Sequence, residues 1–238
     1  MNEISYQIYV PSYNRSDCIM TKNILKDAIY VVRKSQKNDY LNAGLTDNDI
    51  WEVDDELIDS NIKVYDYIIR NSKEDVVVIA DDDIKKFVYR LDFIQDINDS
   101  DIVVAEIERI AQMICDLGIG YACVDNNCIP YGYDREVAFK GIPGAMAIIN
   151  KKCFTAKLDE NVRYNFDIDI VLQELMNNRI IILQKYFNAQ AYIDTNKGGD
   201  SSKRRRDQLD SLSNMKLKWG KYFSYNENNN KPHINVPR

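Results

Sequence analysis

Val76-Val77-Val78-Ile79-Ala80-Asp81-Asp82-Asp83 is the stretch on which the reading of this chain turns. Its five apolar residues, four of them β-branched, form a run too short for a core helix, and a strand with no polar face is one covered on both sides, as in a parallel sheet. Three carboxylates close the run. They repel one another, so folding them into a crevice requires a cation or hydrogen-bond donors; a solvated acidic turn is the structural alternative. In extended chain alternate residues point the same way, so Asp81 and Asp83 converge while Asp82 turns aside. Two hard oxygen ligands suit Mg²⁺ or Mn²⁺, which fill their remaining positions with water and phosphate oxygens.

On either side of this run the chain alternates strands and helices. Gln7–Val10 is a short β-prone run stopped by Pro11, and Ser12-Tyr13-Asn14-Arg15 follows as a loop. The spacing predicts a helix from about Asp17 to Asp27, a strand over Ala28–Val32 and an amphipathic helix over Ile58–Asn71. A further helix over Asp101–Leu117 turns Ile102, Val103, Ile107, Ile110, Ile114 and Leu117 inward and stops at Gly118. Beyond it, Ala145–Asn150 reads as a strand entered by a Gly-Ile-Pro-Gly turn, Asp167–Asn177 as a helix and Arg179–Leu183 as a late strand. Such alternation implies parallel strands with right-handed crossovers, and ligands then gather at the carboxyl ends of the strands. Ser12–Arg15 and Asp81–Asp83 both lie just past such ends.

A chain of 238 residues with 45% hydrophobic and 29% charged residues and only 9 Gly and 5 Pro is ordinary globular material, which excludes collagen-like and mostly disordered readings. Residues 1–225 read as one domain, its part from about 197 basic and aromatic, with 226–238 as a polar tail docked on the body. No apolar run reaches the ~20 residues of a membrane helix. The first ten residues show no secretory pattern, and 5 Cys without a CxxC argue against a disulfide framework or structural zinc. These features suggest a soluble cytoplasmic protein; the sequence assigns no oligomeric state.

Charge is unevenly spread. Residues 197–238 carry 10 Lys+Arg against 4 Asp+Glu, leaving 21 basic and 33 acidic residues before them. A basic end on an acidic body suggests an anionic partner, a solvated tail being the plainer alternative. Within it, Lys197-Gly198-Gly199 followed by Lys203, Arg204 and Arg206 supplies backbone amides and cations for an anion, although no Walker loop is present. Lys218, Trp219 and Lys221 interleave cations with aromatics as a surface that stacks bases and grips phosphates does; a buried aromatic edge is the alternative for Trp219. Asp167 and Asp169 open a helix, where acids are favoured by the macrodipole, or else one of them serves as a general base. His233, the one histidine, reaches the Asp83 metal if the tail folds back.

Taken in order, Val10-Pro11-Ser12-Tyr13-Asn14-Arg15, then Val78–Asp83, then Phe166-Asp167-Ile168-Asp169 resemble the nucleotide-sugar-dependent glycosyltransferases of the GT-A fold. The resemblance spans most of residues 7–190. It implies an α/β fold of three α/β/α layers, with a mostly parallel central sheet and the nucleotide-sugar site at the carboxyl ends of the strands. It also implies that Pro11, Ser12, Tyr13, Asn14 and Arg15 hold the nucleotide, with Asp81, Asp82, Gly144 and Ala145 completing the donor site. Asp81 and Asp83, with His233, would take Mn²⁺ or Mg²⁺. Phe166 stands where the family has Glu, so the catalytic carboxylate lies between Asp167 and Asp169. The C-terminal third is similar to the bacteriophage glycosyltransferases associated with DNA base hydroxylases (the TET/JBP-associated branch). That similarity implies a nucleotide diphosphate sugar donor, a UDP-sugar in the first place, and a hydroxylated or hydroxymethylated pyrimidine in DNA as acceptor, in host cytoplasm if the chain is phage-encoded. A protein or glycan acceptor, or a nucleic-acid-binding protein without catalysis, are the rival expectations.

Overall fold

The computed structural model describes residues 4–126, 129, 134–191, 204–228 and 231–237, and for residues 204–207 the backbone alone. The buried run at its heart is β4 (Val76–Ala80), every residue of which is inaccessible to solvent. Around it lie β1 (Tyr6–Pro11), β2 (Ile29–Arg33), β3 (Ile50–Val53), β7 (Tyr121–Asp125), β8 (Val137–Ala138), β9 (Pro143–Asn150) and β10 (Ile182–Gln184), in the order β3-β2-β1-β4-β9-β7-β10-β8. β9 runs antiparallel to both β4 and β7, and β8 antiparallel to β10; the other six strands are mutually parallel. The sheet is mostly parallel, as the apolar runs lead one to expect.

Alternation along each strand assigns the layers. Val76, Val78 and Ala80 face one side with α3 (Ser100–Asp116), whose Val103, Ile107, Ile110, Ala111 and Ile114 pack there. Val77 and Ile79 face the other, against Ile62, Tyr65 and Ile68 of α2 (Asn61–Asn71) and Ile170, Val171 and Leu175 of α4 (Phe166–Asn177). Helix α3 starts where Asp99 accepts from the Asp101 amide (2.9 Å). It ends at Gly118, φ +64°, with the Ile119 amide turning back to the Ile114 carbonyl (2.8 Å), a Schellman closure that needs the left-handed glycine. Each Ile or Val buried this way contributes roughly 1.5–3 kcal/mol.

Several elements differ from the sequence reading. Asp17–Asp27 is two 3-10 turns, Ser16–Cys18 and Thr21–Asn23, because Ile19 is extended and Asp27 sits at φ +57°. Tertiary bonds hold these turns, among them a 2.9 Å contact between the Thr21 and Tyr30 hydroxyls. The late strand begins at Ile182, since Arg179 at φ +66° cannot continue one. Elements unmarked by a simple period are also present. Helix α1 (Lys37–Asn42) is one, and a three-stranded sheet β11-β5-β6 is formed by Phe187–Ala191, Ile84–Arg90 and Ile94–Ile97. Helix α5 (Arg204–Trp219) and a hairpin of β12 (Phe223–Asn226) and β13 (Lys231–Ile234) follow. Leu212 and Met215 of α5 pack with Val162, Ile168, Leu172 and Phe223 in a satellite core. In the tail, Ile234 and Val236 rest against the apolar clusters, and Lys140 Nζ donates to the Val236 carbonyl at 2.8 Å.

Candidate functional site

The carboxyl ends of β1, β2 and β4 open into a cleft of about 320 Å³. Its lining includes Pro11, Ser12, Tyr13 and Arg15 on one side, Asp81, Asp82 and Asp83 at its base, and Arg33, Asp59 and Tyr164 beyond. Sheet register produces this convergence: Tyr9 of β1 is level with both Ile29 of β2 and Ile79 of β4, so whatever follows these strands emerges side by side.

The acidic triplet is divided by its partners. Asp82 is 6% exposed and turns inward, its Oδ2 accepting from Ser12 Oγ at 2.7 Å and its Oδ1 from Arg15 Nη1. The Ser12 hydroxyl proton is thereby committed, so Tyr40 OH donates to Ser12 Oγ (2.7 Å) while accepting from the Arg15 amide (3.3 Å). The same Nη1 reaches Asp83 Oδ2 at 3.3 Å. Burial alone would lower the Arg15 pKa, but the carboxylates of Asp82, Asp83 and Asp81 outweigh it and raise it. Asp81 is the exception. Its amide donates to the Ala145 carbonyl (2.9 Å), yet no hydrogen bond from a described side chain reaches its half-buried carboxyl. Desolvation, then Asp83, Asp82 and Asp167, hold its pKa well above the ordinary carboxylate range.

Asp167 belongs to the same electrostatic neighbourhood. It opens α4 beside Phe166, whose ring meets Tyr65 edge-on at 4.8 Å. Burial pushes its carboxyl up to about 6 against the hydrogen bonds of the Ile168 amide and its own. Asp169 is elsewhere. At 1% exposure its Oδ1 accepts from Trp219 Nε1 (2.7 Å) and its Oδ2 from Lys218 Nζ (2.9 Å) and Gln173 Nε2 (2.7 Å). A carboxylate so buried and so bonded serves to hold α5, which counts against the alternative that left Asp169 beside Asp167 as candidate base. The same contacts tie half-buried Trp219 to the body, as the alternative of a buried aromatic edge has it.

The remaining candidates fall as follows. Tyr13 lies under the Arg33 guanidinium, 3.9 Å from ring centroid to Cζ. Asn14 adopts φ +54°, a left-handed turn that suits Asn, and its amide donates to Gln36 Oε1 at 3.2 Å. Pro11 ends β1 at the cleft wall. Gly144 and Ala145 enter β9; a Cβ on Gly144 would stand 2.8 Å from the Asp125 carbonyl oxygen, so only glycine permits that approach. His233 is exposed on β13, opposite Ser224. Among the described residues no three His, Cys, Asp or Glu side chains gather as a metal site, so the expected His233 ligand is not assembled with Asp81 and Asp83. Lys221 is exposed, its Nζ 5.3 Å from the Tyr222 ring. Lys197, Gly198, Gly199 and Lys203 lie outside the described residues, and Arg204 and Arg206 are described only as backbone in α5. Arg33, Asp59, Arg163 and Tyr164 also line the cleft, though no motif of the sequence marks them. Arg33 carried the same signal as Asp81, a charge just past an apolar strand.

A divalent cation fits this donor set. Asp83, Asp82 and Asp167 all act on the Asp81 carboxyl, and Arg15 opposes them, a local excess of negative charge that burial makes costly. With Asp82 taken by Ser12 and Arg15, Asp81 and Asp83 are the two carboxylates of the triplet that could face an ion, a number suited to Mg²⁺ or Mn²⁺ that keep water and substrate oxygens.

The sheet order, the reversed β9 beside β4 and the acidic turn after β4 define a GT-A-like α/β fold, and solved structures share it. The chain is similar to glucosyl-3-phosphoglycerate synthase from Mycobacterium tuberculosis in complex with Mg²⁺ and uridine diphosphate, at TM-score 0.54 and 9% identity, over 98% of this chain and 87% of that one. The same synthase with Mn²⁺, uridine diphosphate and glucosyl-3-phosphoglycerate matches at TM-score 0.54 and 8% identity, over 97% and 87%. A further mycobacterial protein matches at TM-score 0.51 and 10% identity, over 80% of this chain and 68% of its own. No protein-family model and no curated protein matches the sequence.

Proposed function

We propose that this protein is a metal-dependent glycosyltransferase that moves a sugar from a nucleotide diphosphate sugar to an acceptor hydroxyl. The observation that carries the reading is the Asp81 carboxyl at the end of β4, which no hydrogen bond from a described side chain reaches, lining the cleft with Asp83 and acted on by the charge of Asp167, whose own carboxyl burial pushes up to about 6. The fold it shares with a synthase solved with Mn²⁺ and uridine diphosphate supports the reading.

The barrier in such a transfer is the negative charge that develops on the departing diphosphate. Asp81 and Asp83 would hold Mn²⁺ or Mg²⁺, which supplies Lewis-acid stabilisation of that charge. Arg15, fixed by Asp82 and Tyr40, adds a guanidinium beside it, and Ser12–Asn14 position the nucleotide. As the acceptor oxygen bonds to the anomeric carbon, the bond from that carbon to the diphosphate oxygen breaks. Asp167 takes the hydroxyl proton, and a carboxyl with a pKa near the working pH is well suited to do so.

For the acceptor, we propose a hydroxyl on a modified pyrimidine of DNA. Support comes from the excess of 10 basic over 4 acidic residues in 197–238 and from the resemblance of the C-terminal third to phage DNA-modifying enzymes. A base within a duplex would have to be extruded, or its hydroxyl reached in the major groove.

Incubation with sugar nucleotides, Mn²⁺ and DNA containing 5-hydroxymethylcytosine, read by mass spectrometry of the nucleosides, tests both levels. Glycosylated nucleoside that disappears with EDTA or in Asp83→Ala is the expected result. Turnover persisting under those conditions refutes the metal scheme. Metal-dependent turnover indifferent to DNA moves the acceptor to a protein or glycan, and salt-sensitive DNA binding without any turnover marks a non-catalytic binding protein.

A further inference from the structure

We infer that Arg33 selects the nucleobase of the donor, and that it selects a base edge presenting two adjacent hydrogen-bond acceptors, as cytosine does with O2 and N3 or guanine with O6 and N7. The inference rests on the nucleotide-sugar reading of the cleft and adds the identity of the base.

Arg33 is the last residue of β2, four positions beyond Ile29; Ile29 is level with Tyr9, Tyr9 with Ile79, and four positions beyond Ile79 stands Asp83. Asp83 stands in the turn beyond β4, so what the register establishes is that the ends of β2 and β4 open into the cleft two strand spacings apart, β2–β1 and β1–β4, about 10 Å. A nucleotide whose phosphates lie at Asp81 and Asp83 has its base directed along that line, past Ser12 and Tyr13.

The guanidinium is held at the far end of this line. Its Nε donates to the Ile58 carbonyl at 3.3 Å, and its Cζ lies 3.9 Å from the Tyr13 ring centroid. Ile58 follows β3, which lies on the side of β2 away from β4, so the bond draws the side chain away from the phosphate end. With Nε used, no hydrogen bond or ion pair among the described residues engages Nη1 or Nη2, and Arg33 lines the cleft. Two parallel N–H donors in a fixed plane match two adjacent acceptors. Uracil sets an N–H between its two carbonyl oxygens, and adenine sets its amino group beside N7, so each would place a donor against a donor. The uridine donor implied by the family resemblance is thus the one that this cleft's own donors do not favour.

Isothermal titration of the whole chain with CDP, GDP, UDP and ADP in Mn²⁺ tests this directly, repeated with Arg33→Lys and Arg33→Gln after checking that their melting curves match the parent. The expected result is that CDP or GDP binds about 10- to 100-fold more tightly than UDP and ADP. Which of the two it is identifies the base. Arg33→Lys, which keeps the charge and loses the fork, should abolish the preference while all four still bind weakly. UDP or ADP binding tightest, or a preference unchanged in both variants, overturns the assignment. So does an equal loss for all four nucleotides in Arg33→Gln that Arg33→Lys restores, because it makes Arg33 a phosphate contact. These three outcomes leave the nucleotide-sugar reading standing. Failure of all four to bind, with or without Mn²⁺, takes down that reading and this inference with it.

Discussion

Asp169 and Glu174 lie on the same helix as Asp167, and both are almost wholly buried, yet their surroundings differ from those of Asp167 in one respect. Glu174 accepts from the Thr155 amide (2.7 Å) and hydroxyl (2.9 Å), the Ala156 amide (2.8 Å) and Asn178 Nδ2 (2.8 Å). Asp169 accepts from Trp219, Lys218 and Gln173. Their oxygens are met by protein donors, so both are fastenings, one tying β9's following turn to α4 and the other tying α5 to the body. Among the described residues Asp167 receives only the first amides of its helix, and Asp81, on which its charge acts, receives no side-chain hydrogen bond. Buried carboxylates with a full set of donors build the fold; those left short of them keep free energy in reserve for a proton or a metal ion.

The sharpest way to break this contrast is Asp167→Asn. It should lower glycosyl transfer about 10²- to 10⁴-fold while nucleoside diphosphate and Mn²⁺ still bind by calorimetry; unimpaired transfer would make Asp167 one more structural acid. Asp169→Ala and Glu174→Ala should do the reverse, each lowering the unfolding free energy by about 3 kcal/mol in urea titrations because buried donors lose their acceptor. A stability loss below about 1 kcal/mol in either would show that its donors find water instead.

The third effect separates the two classes by pH. The folded pKa of Asp167 is raised from 3.8 to about 6, so folding disfavours its ionised form. That penalty is absent below the unfolded value, grows as pH rises between the two, and is complete above 6. In EDTA at pH 7.5, Asp167→Asn should therefore stabilise the protein by roughly 3 kcal/mol, each tenfold change in proton affinity being worth about 1.4 kcal/mol, and the gain should vanish near pH 4. Thermal melts at the two pH values decide it, and an equal effect at both would contradict the burial of an unpaired carboxyl. The smallest effect is expected at exposed Lys221. Its alanine variant should leave stability within about 0.5 kcal/mol, and should reduce the salt slope of DNA affinity by about one if that surface meets phosphates.

Much of this frame was legible in the chain. A β-branched run ended by acids can be read because a doubly covered strand has no polar face, and its register then fixes where the next residues emerge. Helix α3 was legible from its 3.6-residue stripe and Gly118, although Ile102 and Leu117, read as inward, stand exposed at its two ends. The segment after Arg15 misled because helical spacing of Ile19, Ile24 and Leu25 is compatible with separate turns once Thr21 bonds to Tyr30. Helix α5 was hidden because its sequence is strongly polar, and its buried side, Leu212 and Met215, is met by a small satellite core from other elements. Among the site residues, the positions of Asp81 and Arg15 followed from strand ends, whereas the inward turn of Asp82 did not follow from alternation, which fails once the strand stops.

By itself the sequence determined where charge meets the ends of apolar strands, because burial of β-branched residues is a local property that reads directly from composition and period. Only the tertiary structure decided which carboxylates are neutralised. Two of the three donors that settle Asp169 come from 49 and 50 residues away, and the two that settle Asp82 from 67 and 70. A hydrogen bond is made between atoms a few ångströms apart in space, a proximity that sequence separations of this size leave unspecified until the chain has folded.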